Sequence, residues 1–97
     1  NKIVSLQYKL LEKAKAIVKR NGVIVYMVCS FLKEEGEDQI KLFLKKNKNF
    51  KLNQFNEKNN LYKRFINKNG LISILPQKVN NYFFIDGFFA AKLTKYD

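Results

Sequence analysis

One uninterrupted run, Val23-Ile24-Val25-Tyr26-Met27-Val28, constrains the fold more than any other feature of the chain. β-Branched residues dominate it and no polar residue alternates with them, which is the pattern of a strand covered on both faces of a parallel sheet. It is also far short of the roughly 20 apolar residues that a membrane span needs. The run ends at Cys29-Ser30. In open α/β sheets ligands bind at the carboxyl ends of strands, so the single cysteine stands at a chemically favoured place.

The flanking segments supply the helices and further strands such a sheet requires. From Lys2 to Arg20, apolar residues recur at Ile3, Leu6, Leu10, Ala14 and Ile17, a three-and-four spacing that places them on one face of an amphipathic helix. Asn21-Gly22 offers its left-handed stop. After the strand, Glu34, Glu35, Glu37 and Asp38 crowd the start of a second helix and Lys41, Lys45 and Lys46 its end, the polarity that complements a helix dipole. Ile40, Phe43 and Leu44 form the expected core stripe of that helix. Residues 47–69 read as a long connection with one weak strand or short helix, its Phe50, Leu52, Phe55, Leu61, Tyr62, Phe65 and Ile66 either stacking on unpaired bases or, the favoured reading, anchoring the loop to the core. Gly70 to Leu75 predicts a strand stopped by Pro76. Tyr82 to Leu93 predicts another, interrupted at Asp86-Gly87 by a tight bend or bulge.

What the chain lacks excludes much chemistry. At 97 residues it has room for one small core, and 46% hydrophobic residues with nine Phe and five Tyr are enough to fill it. Without histidine there is no imidazole base, no Ser-His-Asp triad and no His-ligated metal within these residues. One cysteine gives no internal disulfide, no redox pair and no thiolate zinc site, and is consistent with a reducing, cytoplasmic setting. Gly22, Gly36, Gly70 and Gly87 are too scattered for a phosphate-cradling loop.

Nineteen Lys+Arg against eight Asp+Glu give a net charge of +11, which points toward a polyanion such as RNA. All but Arg20 and Arg64 of those cations are lysine, accompanied by abundant Asn and Ile, a mixture that an AT-rich genome also produces. Charge alone therefore leaves nucleic-acid contact and an ordinary solvated surface both open.

The order of helix, buried strand, helix, long loop and two strands matches the closing half of a doubly wound sheet. Within that order, Leu6-Gln7, Leu10-Leu11, Ala14, Asn21-Gly22 through Cys29-Ser30, Glu34-Glu35-Gly36-Glu37, Gly70-Leu71, Leu75-Pro76 and Asp86-Gly87-Phe88-Phe89-Ala90-Ala91-Lys92-Leu93 resemble the C-terminal third of the Sun/Fmu-type ribosomal RNA (cytosine-5) methyltransferases. The resemblance covers nearly the whole chain. It departs at Met27, Val28, Lys33 and Gly36, where the family usually has Ser, Thr, Pro and Asn. It implies an α/β fold, the C-terminal half of a Rossmann-like S-adenosylmethionine-dependent methyltransferase sheet with antiparallel closing strands, over residues 1–97.

For function the resemblance implies that Cys29 is the nucleophile that adds to carbon 6 of cytosine and activates carbon 5 toward the methyl of S-adenosylmethionine. A strand-end cysteine taken by itself reads instead as a small buried apolar residue. Ser30, Asp86, Gly87, Phe88 and Lys92 are the weaker expectations for RNA substrate contact, and Glu34 and Glu35 read first as helix-start charges. The family's glycine loop, ribose-binding acid and Pro-Cys-Ser-Gly motif have no counterpart here, and the chain opens on Asn1, so the expectation is a fragment that is inactive alone and binds cofactor only as part of a longer protein. A fragment of this kind is also expected to associate with itself through an exposed sheet edge. The competing reading is a small basic RNA-binding or ribosome-associated module without catalysis.

Overall fold

A computed structural model of the chain describes residues 2–55, 63–78 and 80–97. Helix α1 spans Lys2–Ile17 and strand β1 Val23–Val28; a 3-10 turn at Lys33–Glu35 leads into helix α2, Glu37–Lys46. Five strands follow, β2 (Phe50–Asn53), β3 (Ile72–Ile74), β4 (Gln77–Lys78), β5 (Phe84–Ile85) and β6 (Phe88–Lys95). Strand β6 is the spine of the main sheet. On one side it pairs with β1, from Val23↔Thr94 to Val28↔Phe89, and on the other with β2 and β3. Every pairing is antiparallel to β6, so β1, β2 and β3 all run in one direction and the last strand returns between them. The antiparallel closing strand expected from sequence is therefore present. Strands β4 and β5 form a separate two-stranded ribbon between β3 and β6.

Both helices contribute to one core with one face of the sheet. Leu11 of α1 and Ile40 and Phe43 of α2 are buried with Ile24, Tyr26, Phe50, Phe89, Ala91 and Leu93. Cross-strand neighbours share a face, which is why Ile24 and Tyr26 meet the partners Leu93 and Ala91 in the same layer. The Phe43 ring is fully buried and meets Phe50 edge to face at 5.1 Å.

One expectation from the sequence does not hold. Strand β1 is not covered on both faces: Ile24 and Tyr26 are buried, but Val23, Val25 and Met27 point to the uncovered side and are exposed. On α1 the apolar stripe is likewise uncovered at Ile3, Leu6, Leu10 and Ile17, which are exposed, while Leu11 is buried and Tyr8, Ala14 and Val18 pack against the core. The physical cause is the same in both cases. Apolar spacing marks which residues want cover, and within these residues only one sheet face is covered. The helix ends at Ile17 rather than Arg20, and Asn21 takes the left-handed conformation at φ 66°.

The second helix keeps the expected polarity, with Glu37 paired to Lys41 at 3.2 Å, but Gly36 breaks it from the preceding turn. A Cβ at Gly36 would lie 2.8 Å from the Phe89 ring, so glycine lets that ring close the core. Leu44 is partly buried against the core, and Gln39 is buried although its type did not announce it. In the long connection Phe50 is buried, Leu52 packs on the core and Phe55, Phe65 and Ile66 are half-buried, in keeping with an anchoring role; Leu61 and Tyr62 lie outside the described residues. The expected strand from Tyr82 to Leu93 is divided, since β5 pairs with β4 before the Asp86-Gly87 link and β6 runs on to Lys95.

Candidate active site at the end of strand β1

Val28 is the last paired residue of β1, opposite Phe89, and Cys29 follows it at the carboxyl end of the strand with its free thiol side chain exposed. The Asp86-Gly87 link lies against the loop that Cys29 opens. Gly87 is buried, and a Cβ there would sit 2.8 Å from the Phe31 backbone nitrogen and 2.9 Å from its ring, so only glycine allows this approach. Phe88 is half-buried in register with Ile74, and Asp86 is exposed. Cys29, Ser30, Gly87 and Phe88 are thus gathered at one end of the sheet. Lys92 is not. It pairs with Val25, four residues and roughly 13 Å back along the strand from Cys29, and its Nζ lies 4.7 Å from the centre of the Phe55 ring.

A polar clamp holds the loop. The Ser30 hydroxyl donates to Glu35 Oε2 at 3.2 Å and accepts from the Leu32 backbone N–H at 3.1 Å. The other Glu35 oxygen accepts from Gln7 Nε2 at 2.9 Å, and Gln7 Oε1 accepts from Gln39 Nε2 at 3.4 Å. Gln39 Nε2 also donates to the Val4 carbonyl at 2.7 Å, which satisfies a side chain that is 3% exposed. The Tyr26 hydroxyl donates to the Glu35 carbonyl. Burial, and next the nearby Glu35 carboxylate, push the Tyr26 phenol up to about 12, so it remains a neutral donor at every physiological pH.

Glu35 therefore does more than begin a helix: it ties α1, the floor of β1 and the Cys29 loop together. Gln7, Tyr26 and Gln39 belong to this clamp, and the sequence reading does not single them out. The available signals were a glutamine on an apolar helix and a tyrosine inside an apolar strand. A cleft beside the loop is walled by Ser30, Phe31, Lys33, Glu37, Asn67 and Ser73.

The four glycines are packed against the chain's own atoms. Where a Cβ would extend from Gly22, Gly36, Gly70 or Gly87, the space is already taken by Val18, Phe89, Gln54 and Phe31 respectively. Among the described residues no three of His, Cys, Asp and Glu come together as a metal site requires, and no helix is long and apolar enough to cross a membrane.

Comparison with known proteins gives a consistent result. The family described as 16S rRNA methyltransferase RsmB/F matches residues 1–94. Ribosomal RNA small subunit methyltransferase B of Photorhabdus laumondii is 33% identical over 93 residues, which is 96% of this chain and 19% of that protein. The enzyme of the same name from Thermus thermophilus is 38% identical over 50 residues, 52% of this chain and 13% of that protein. The solved structure of NSun6 from Pyrococcus horikoshii with SFG superposes with a TM-score of 0.68 at 26% identity, over 97% of this chain and 22% of that one. The chain thus spans about a fifth or less of the length of these relatives, and the Rossmann-like methyltransferase sheet expected from sequence is the fold they share with it.

Proposed function

The chain belongs to the 16S rRNA methyltransferase RsmB/F family, and from that premise we propose that it supplies the nucleophile-bearing part of an RNA (cytosine-5) methyltransferase acting on ribosomal RNA in the cytoplasm. The observation that carries this reading is the exposed Cys29 at the carboxyl end of β1, on a loop fixed by Ser30, Glu35 and Gly87. The cysteine thiolate adds to carbon 6 of the target cytosine, forming a sulfur–carbon bond and moving the ring's double-bond electrons toward carbon 5. Carbon 5 thereby becomes nucleophilic. Once carbon 5 has taken the methyl group, with S-adenosylhomocysteine as the leaving group, its proton passes to water, the electrons return to the ring, the sulfur–carbon bond breaks and the thiolate is regenerated. The methyl donor, S-adenosylmethionine, is held outside these residues; what this chain performs is the making and breaking of the bond to sulfur. Incubating the full-length protein with S-adenosylmethionine and small-subunit ribosomal RNA should yield 5-methylcytosine on nucleoside analysis. RNA binding without any methylated nucleoside would instead support a basic binding module.

Two expectations concern the chain by itself. Because its four glycine positions are filled by its own side chains, calorimetry should detect no specific S-adenosylmethionine binding, and stoichiometric micromolar binding would contradict the division of labour above. The exposed Ile3, Leu6, Leu10, Val23, Val25 and Met27 form the uncovered side of α1 and β1. Among the described residues the outer edge of β1 also has no strand partner. Such a face and edge promote association, so light scattering should show dimers or larger species, whereas a monomer at high concentration would count against this.

A further inference from the structure

The β4–β5 ribbon carries side chains whose placement core packing does not explain. Tyr82, Phe83 and Phe84 follow one another and are 90%, 66% and 61% exposed. Their turn is nevertheless built rather than loose: Asn80 Oδ1 accepts from the backbone N–H groups of Tyr82 at 2.8 Å and Phe83 at 3.0 Å. Three residues beyond Phe84 the chain reaches Gly87, packed against Phe31, itself 53% exposed, in the loop that Cys29 opens. The ribbon therefore springs from the rim of the candidate active site. Lys78 is directly across from Phe84, so an exposed cation shares that face with the ring.

We propose that the β4–β5 ribbon is a stacking arm that holds unpaired RNA bases next to the target nucleotide. Aromatic faces bind bases without regard to sequence, while lysine meets the phosphate between them. The charge of the chain, +11, matches a polyanionic occupant rather than an apolar protein surface. The inference rests on the RNA methyltransferase reading above, and it adds which residues grip the strand on either side of the reacting base.

The test uses full-length protein and a single-stranded ribosomal RNA oligonucleotide with 2-aminopurine beside the target cytosine. Tyr82→Ala and Phe83→Ala should each weaken RNA binding about tenfold and relieve the quenching of 2-aminopurine that stacking causes. They should leave the slope of log affinity against log salt unchanged, because no ionic contact is lost. Tyr82→Trp should restore affinity. The melting temperature and S-adenosylmethionine affinity of all variants should equal those of wild type. Wild-type RNA affinity in the Tyr82→Ala/Phe83→Ala double variant would overturn the proposal while leaving methylation intact. A loss accompanied by a lowered melting temperature and not restored by Trp would also overturn it, and would assign the rings to packing against the rest of the protein. If wild-type protein bound RNA through these rings but methylated nothing, the arm would stand and the enzymatic reading would fall.

Discussion

Replacing Cys29 by Ala in the full-length protein is expected to abolish methyl transfer to RNA while leaving RNA and cofactor affinities within about twofold of wild type. The reasoning is local. Cys29 is exposed at a strand end, so removing its sulfur leaves no buried cavity, and a surface change of this kind shifts stability by no more than about 0.5 kcal/mol. The Ser30–Glu35 clamp and the Gly87 contact use neighbouring residues and survive the substitution. Only the step that needs a thiolate is lost. Wild-type turnover in the Ala variant would remove Cys29 from the chemistry and move the nucleophile elsewhere.

Phe43→Ala should have the opposite signature, a large loss of stability with no direct involvement in chemistry. The ring is fully buried between α2 and β2 and meets Phe50 edge to face. Deleting a buried phenylalanine costs about 3–5 kcal/mol, a large share of the roughly 5–15 kcal/mol that holds a small domain together. Urea unfolding of the chain should therefore show its midpoint moved far toward zero denaturant, or no folded baseline. A midpoint shift equivalent to less than about 1 kcal/mol would mean that the core is not centred where Leu11, Ile40, Phe43 and Leu93 converge.

Much of this arrangement is legible in the sequence. The unbroken apolar run marks β1, and Cys29 follows its last paired residue as the sequence pattern expects. The charge gradient from Glu37 to Lys46 located α2, and Asp86-Gly87 marked the break before the closing strand. Where reading failed, it failed for a physical reason. Periodicity placed Ile3, Leu6 and Leu10 on one face of α1 but could not say whether these residues themselves provide the surface to cover it; the covered side turned out to be that of Leu11. The same limit made β1 look covered on both faces.

The clamp was invisible for a different reason. Gln7 and Glu35 are 28 positions apart in the chain, and a hydrogen bond between them follows no period. Lys92 was expected among substrate contacts because it lies on the strand that follows Asp86-Gly87. Strand register sends it away from Cys29, opposite Val25, and onto the Phe55 ring.

The central claim is that Cys29 forms a covalent bond to the RNA base, and trapping that bond tests it most directly. Full-length protein should be incubated with S-adenosylmethionine and RNA carrying 5-fluorocytosine at the target position, where fluorine cannot leave carbon 5 as the proton does. Digestion and mass spectrometry should then find the nucleotide attached to the peptide that contains Cys29. An adduct on another residue, or efficient methylation of ordinary RNA with no adduct on the fluorinated one, would contradict the account.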